Sequence, residues 1–164
     1  MTGDTMTNDS SAAQAKHGGC LCGAVRFTVS GPLRPVIACH CGQCRRVLSN
    51  FAAYSAARRG DLAIEGAAAL AWFESSPGVR RGFCGRCGSA LFWDCDGNDF
   101  VSVSAGALDQ PTGLRTRRHI FVADKADFYE IGDGLECLPQ GQSDPWPQDD
   151  AAADGAGGPP AGGR

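Results

Sequence analysis

Short apolar runs, separated by turn-forming residues, dominate the middle of the chain. In residues 101–106, Val or Ala alternates with Ser or Gly, the pattern of a strand with one face on the core. Gly, Pro, Asp or Asn separates most of the runs. The pattern predicts strands at 24–29, 36–39, 51–55, 62–65, 69–74, 79–83, 90–93, 100–104, 117–122 and 128–131. Only residues 42–48 predict a helix, a short one, so the sequence indicates a mainly β protein of many short strands.

Both ends of the chain lack the composition of a folded segment. Residues 1–16 show no apolar periodicity, and residues 140–164 are mostly Gly, Pro, Ala and Asp with little to bury. We predict a disordered tail at each end and one domain at 17–139. A length of 164 residues and a hydrophobic content of 43% suit one small domain.

Charge and hydropathy exclude two classes of partner. Residues 17–139 contain 13 Lys and Arg against 12 Asp and Glu, so the predicted domain is near neutral. The arginines are scattered and form no basic run that could follow a phosphate backbone, which argues against nucleic acid. No apolar stretch has a membrane-spanning length, and residues 1–16 lack the apolar centre of a secretory signal. We expect a soluble, cytoplasmic protein, and the sequence predicts no oligomeric state.

The nine cysteines indicate metal binding rather than disulfides. A disulfide framework calls for an even count, a secretory signal and an oxidising compartment. The spacings C-x-C and C-x-x-C are too short for comfortable disulfides and suit one metal ion well. Cys95 and Cys137 have no cysteine neighbour at ligand spacing, and we assign them no function.

Four of the cysteines predict a closed zinc site. Cys84 and Cys87 flank a glycine and form a zinc knuckle, in which a tight turn brings both sulfurs to one ion. Cys20 and Cys22 are two residues apart, so in an extended segment they share a face and can supply the other two ligands. Structural zinc contributes on the order of 10 kcal/mol to the folding of a small domain, so we predict that chelation unfolds the protein.

The remaining clustered cysteines predict a second zinc with an open position. Cys39, Cys41 and Cys44 offer three ligands, and three protein ligands on zinc are typical of a catalytic site. Three thiolates leave the site formally negative, which weakens it as a generator of hydroxide and favours a thiol as the fourth ligand. We therefore expect carbon–sulfur bond chemistry, with Arg45 and Arg46 offsetting the charge or binding a substrate carboxylate.

Two other interpretations remain open. In the first, His40 or His119 closes the second site and the protein is a zinc-stabilised binding module without catalysis. His40 alternates with Cys39 and Cys41 along a strand, so its side chain points away from theirs, which argues against it as a ligand. In the second, Cys95 or Cys137 is the reactive thiol of a redox enzyme. The aromatic residues are expected in the core: Trp72, Phe73, Phe92, Trp93 and Phe100.

The cysteine motifs and their flanks resemble a known family. The segments GGCLCGAVR at 18–26, CHCGQCR at 39–45, FCGRCGS at 83–89, HIFV at 119–122 and DGL at 133–135 are similar to those of the glutathione-dependent formaldehyde-activating enzymes, whose domain is shared with centromere protein V. The resemblance covers roughly residues 17–138. Where relatives often have a tryptophan near the end of the domain, this chain has Phe128 and Tyr129.

The resemblance implies a tent-like, mainly β fold supported by zinc. It implies a structural zinc on Cys20, Cys22, Cys84 and Cys87 and a catalytic zinc on Cys39, Cys41 and Cys44. It further implies carbon–sulfur lyase activity, in which glutathione is the co-substrate and S-hydroxymethylglutathione forms from glutathione and formaldehyde or is cleaved. A small-molecule thiol or thiol adduct is the expected partner.

Overall fold

The computed structural model describes residues 15–141. The predicted disorder of residues 1–14 and 142–164 lies outside the described residues. Lys16 begins the first strand, and the carbonyl of Gln140 accepts a hydrogen bond from the amide of Phe121 at 3.3 Å. The described fold therefore extends slightly beyond 17–139 at both ends.

Over residues 15–141 the chain forms eleven strands and one α-helix, with four short 3₁₀ turns. The strands are β1 (Lys16–Gly19), β2 (Arg26–Val29), β3 (Val36–Cys39), β4 (Ala52–Arg58), β5 (Leu62–Glu65), β6 (Leu70–Ser76), β7 (Val79–Cys84), β8 (Ala90–Cys95), β9 (Phe100–Ser104), β10 (Thr116–Ile120) and β11 (Glu136–Cys137). The helix is α1 (Gly42–Leu48). No helix in this part of the chain is long and apolar enough to cross a membrane.

Two sheets make up the single small domain. β1, β2 and β5 form a three-stranded sheet, and the other strands form an eight-stranded sheet in the order β11-β10-β3-β4-β9-β8-β7-β6. Most neighbours in the large sheet are antiparallel, but β10 lies parallel to both β3 and β11. The parallel pairing of β10 with β3 brings the C-terminal part of the domain beside the strand that ends at Cys39.

The core lies between the two sheets. Phe27 and Val29 of β2 are buried and belong to the same apolar cluster as Phe92 and Val103 of the large sheet. The rings of Phe27 and Phe92 meet edge to face at 5.4 Å. Because side chains alternate along a strand, the neighbours of these core residues point to the other face of the large sheet.

That other face carries a row of side chains across the sheet. Arg81 of β7 pairs with Trp93 of β8, which pairs with Ser102 of β9. Directly paired residues share a face, so these three side chains stand side by side. All three line one cavity.

Most predicted strands are confirmed, and those at Val36–Cys39, Leu62–Glu65 and Phe100–Ser104 have the predicted bounds. The short helix Gly42–Leu48 is also confirmed. The strand predicted at 128–131 is wrong, since this segment forms a turn and irregular chain.

Two of the aromatic residues predicted in the core are instead partly on the surface. Trp72 is 36% exposed and Phe73 60% exposed, because β6 is the edge strand of the large sheet and has no strand beyond it. Phe92 is buried as predicted. Trp93 and Phe100 face the cavity described below.

Candidate metal centres and an adjoining cavity

Two tight loops bring four cysteines together. Cys20 and Cys22 lie in the connection from β1 to β2, where Gly23 adopts a positive φ of 74° and its amide donates to the carbonyl of Cys20. Cys84 ends β7, and the amide of Gly88, at φ 75°, donates to the carbonyl of Cys84. Only glycine adopts this backbone region at little cost, which explains a glycine after each cysteine pair.

The four sulfurs have the spacing of ligands around one ion. The sulfurs of Cys20 and Cys22 are 3.6 Å apart, those of Cys22 and Cys84 are 3.8 Å apart, and all four including Cys87 lie within 4.8 Å of one another. Two sulfurs bound tetrahedrally at about 2.3 Å from zinc are about 3.8 Å apart. The group can therefore hold a metal ion, and its all-thiolate donor set suits zinc.

The second cysteine group is built by the end of a strand and the start of a helix. Cys39 ends β3, Cys41 is the N-cap of α1, and Cys44 lies in the first turn of that helix. The amide of Cys44 donates to the sulfur of Cys41 at 3.4 Å, in the manner of an N-cap side chain. The predicted short helix thus returns Cys44 towards the other two sulfurs.

These three sulfurs also meet the spacing of a metal site. The sulfurs of Cys39 and Cys44 are 3.6 Å apart, and the three lie within 4.8 Å of one another. Hydrogen bonds from Cys39 and then Cys44 lower the pKa of Cys41 to about 2, whereas the contact with Cys41 raises the pKa of Cys39. Three close sulfurs compete for protons in this way, and a divalent cation would remove the competition by holding all three as thiolates.

A cavity of about 370 Å³ opens beside the three-cysteine group, and no member of the four-cysteine group lines it. This volume lies within the range of small-molecule sites in proteins. Its walls are mainly apolar and aromatic, with a few polar groups: Ile37, Val79, Trp93, Phe100, Ile120 and Phe121, together with Arg34, Gln43, Tyr54, Ser76, Arg81, Ser102 and the three cysteines. The second cysteine group therefore adjoins space for a small ligand.

Arg81 is the buried cation of this cavity. Its side chain is almost fully covered, and both Nη atoms lie 3.9 Å from the sulfur of Cys44. Nη2 also donates to Oε1 of Gln43 at 3.0 Å. Sequence reasoning missed Arg81, because it lies 37 residues from Cys44 along the chain and reaches it only through the register of β7.

The predicted role of Arg45 in binding a substrate remains a prediction. Arg45 is partly buried in α1, Arg46 is exposed, and neither lines the cavity. The arginines that do line it are Arg34 and Arg81. Cys95 is partly buried and Cys137 is exposed, and neither belongs to a cysteine group of the described residues.

Neither His40 nor His119 belongs to the three-cysteine group. His40 is fully buried, and its Nε2 lies 2.8 Å from Nδ1 of His119, which is also buried. Nε2 of His119 lies 2.8 Å from Oδ2 of Asp133. This arrangement is consistent with the expectation that His40 points away from its neighbouring sulfurs.

Aromatic rings complete this buried histidine cluster. The rings of Phe51 and Tyr129 pack on His40. Of the two residues that stand where relatives often have a tryptophan, Tyr129 therefore contributes to the cluster, whereas Phe128 is exposed.

Fold and site together define a small, mainly β protein with two cysteine groups that can hold metal ions. The model of the glutathione-dependent formaldehyde-activating enzymes matches residues 15–124. The chain belongs to this family. The resemblance found in the cysteine motifs is thereby confirmed.

Two individual proteins extend the comparison. A protein of Halomonas elongata, provisionally named a glutathione-dependent formaldehyde-activating enzyme, is 34% identical over 127 residues, which are 70% of this chain and 80% of the relative. A crystal structure of a Rhodobacter sphaeroides protein superposes with a TM-score of 0.51 at 22% identity, covering 74% of this chain and 98% of that one. The second similarity is one of fold alone.

Proposed function

We propose that this chain is a zinc-dependent carbon–sulfur lyase that acts on the thiol adduct of a small aldehyde. The substrate we propose is S-hydroxymethylglutathione, formed from glutathione and formaldehyde or cleaved to them. One observation carries the proposal: three cysteines at ligand spacing adjoin a cavity of small-molecule size. The family's name and that of the Halomonas elongata relative support the choice of thiol and aldehyde.

The two cysteine groups would have different tasks. Cys20, Cys22, Cys84 and Cys87 would hold a structural zinc, since four protein ligands complete its tetrahedron. Cys39, Cys41 and Cys44 would hold a second zinc, which when bound supplies a position where a substrate sulfur stays a thiolate at neutral pH. This chemistry needs reduced cysteines, which suits the reducing cytoplasm.

The cavity residues would bind and orient the two reactants. The aromatic and aliphatic walls, with Trp93 and Phe100 among them, exclude water from the aldehyde carbon. Held beside the sulfur, the carbon is attacked by the thiolate as a carbon–sulfur bond forms, the carbonyl π pair moves to oxygen and the oxygen takes up a proton. Cleavage reverses each of these changes. Positioning two reactants in this way is a large part of the rate gain in such bimolecular reactions.

Zinc stoichiometry combined with a thiol titration tests the proposal. Purified protein should contain two zinc ions per chain, and X-ray absorption should show an increase in zinc–sulfur coordination as glutathione is added. Formaldehyde added next should give S-hydroxymethylglutathione faster than the uncatalysed reaction, and Cys41→Ser should abolish the acceleration. Two zinc ions that are indifferent to every thiol would instead support a zinc-stabilised binding module without catalysis.

A further inference from the structure

Arg81 carries a buried positive charge that no carboxylate balances. Its side chain is 5% exposed, and guanidinium groups stay protonated in proteins. Burying such a charge is costly unless an opposite charge and hydrogen bonds accompany it. In the part of the chain that the structure describes, no ion pair between Arg81 and an aspartate or glutamate occurs.

The available opposite charge is that of the cysteines. Both Nη atoms of Arg81 are equidistant from the sulfur of Cys44, at 3.9 Å, so the planar end of the guanidinium faces this atom. The contact therefore places a fixed cation against a buried sulfur of the three-cysteine group.

Gln43 fixes the direction of this contact. Its Oε1 accepts from Nη2 of Arg81 at 3.0 Å, and its Nε2 donates to the carbonyl of Ser75 at 3.2 Å. The helix that carries Cys44 is thereby connected to β7 through Arg81 and to β6 through Ser75. The guanidinium cannot rotate away from the sulfur without breaking this connection.

We propose that Arg81 is a positioning residue that supplies the counter-charge of the three-cysteine group and so favours the uptake of a substrate thiolate. The inference rests on the proposed function. Three thiolates and a zinc ion have a formal charge of −1, and a fourth thiolate makes this charge −2. One fixed positive charge beside Cys44 opposes this growth of negative charge, and it acts strongly because Arg81 and Cys44 are both buried. The sequence suggested this offsetting of charge for Arg45 and Arg46, neither of which lines the cavity.

Thiol affinity tests the inference without relying on activity. The probe is 2-mercaptoethanol, a thiol with no carboxylate, so that Arg81 can affect its binding only through the sulfur. Arg81→Gln should weaken binding to the zinc-loaded protein at least tenfold by calorimetry. Arg81→Lys keeps the charge and should recover part of the loss. Arg80→Gln, which removes an arginine from the other face of the same strand, should bind the probe as wild type does.

The outcomes separate three cases. Unchanged binding of 2-mercaptoethanol by Arg81→Gln overturns the inference. Unchanged binding of 2-mercaptoethanol with weaker binding of glutathione also overturns it, because Arg81 would then hold a carboxylate of the peptide. If wild type takes up neither thiol, the proposed function fails and this inference fails with it. Zinc content, expected to remain two per chain in both Arg81 variants, shows that a loss of affinity is not a loss of metal.

Discussion

His40 donates through a buried contact to His119, with 2.8 Å between Nε2 of the first and Nδ1 of the second. Asp133 accepts from Nε2 of His119, which assigns the proton of that ring to Nε2 and leaves its Nδ1 as an acceptor. His40 must then carry its proton on Nε2. Burial is the largest of the causes that lower the pKa of His40, and it favours the neutral form of the ring.

Removing His119 should destabilise the protein through His40. In His119→Ala, the Nε2 donor of His40 stays buried without an acceptor, and the lost imidazole leaves a cavity beside the rings of His40 and Phe51. We expect a loss of about 2–4 kcal/mol in the free energy of unfolding. Urea denaturation of the zinc-loaded protein measures it. The control is His17→Ala, an exposed histidine whose loss should cost less than about 0.5 kcal/mol. Equal losses in the two variants would contradict the role of the buried pair.

The core between the two sheets offers a matched pair of phenylalanines. Phe92 is 1% exposed and packs edge to face on Phe27, whereas Phe73 is 60% exposed on the edge strand. Phe92→Ala should therefore cost about 3–5 kcal/mol in stability, and Phe73→Ala less than about 1 kcal/mol. Thermal unfolding of the two variants measures the difference. A large loss in Phe73→Ala would show that the exposed ring is covered in solution.

Spacing alone was enough to group the cysteines, because C-x-C and C-x-x-C pairs leave little freedom in how sulfurs meet. The strands with tight turn signals at both ends were likewise predictable, Leu62–Glu65 among them. Arg81 was not, because its approach to Cys44 depends on which strands pair and in which register. Its place in the sequence, next to Arg80, resembles that of the other arginine pairs. Long-range pairing also explains the missed strand Glu136–Cys137, which is only two residues long and is defined by its pairing with β10.

The two cysteine groups should differ in their effect on the fold. Cys84 is fully buried beside core residues, so Cys84→Ser should remove the proposed structural zinc and most of the β structure. Cys41 is partly buried at the cavity and lies outside the main core cluster that contains Cys84, so Cys41→Ser should leave the circular dichroism spectrum near that of wild type. Zinc analysis should find one ion per folded chain in Cys41→Ser.

A chelator titration of wild type provides the matching measurement. The loss of β structure should follow the departure of the more tightly held ion, not of the first to leave. If Cys41→Ser unfolds as fully as Cys84→Ser, both groups are structural and the proposed lyase function is weakened.

Asp94 should make stability depend on pH in the acid range. Its side chain is 5% exposed, and it accepts 2.7 Å hydrogen bonds from Arg59 and Arg80. Burial alone would raise the pKa of Asp94, but the two arginines outweigh it and hold the pKa below its usual value. A lowered pKa in the folded state stabilises the fold fully above the unfolded value of about 3.9, and this stabilisation is lost as pH falls through the folded value.

The difference in unfolding free energy between wild type and Asp94→Asn measures this contribution. We expect a difference of about 2 kcal/mol between pH 6 and 8. It is smaller than for a fully buried pair because both arginines are about half exposed. The difference between the two proteins should narrow as pH falls below about 4. Both proteins have the same two cysteine groups, so acid-induced loss of any bound metal cancels in the difference. Asp127→Asn, at an exposed position, should show no such gap. A gap for Asp94→Asn that stays constant down to pH 3 would mean that the charge on Asp94 contributes nothing to it.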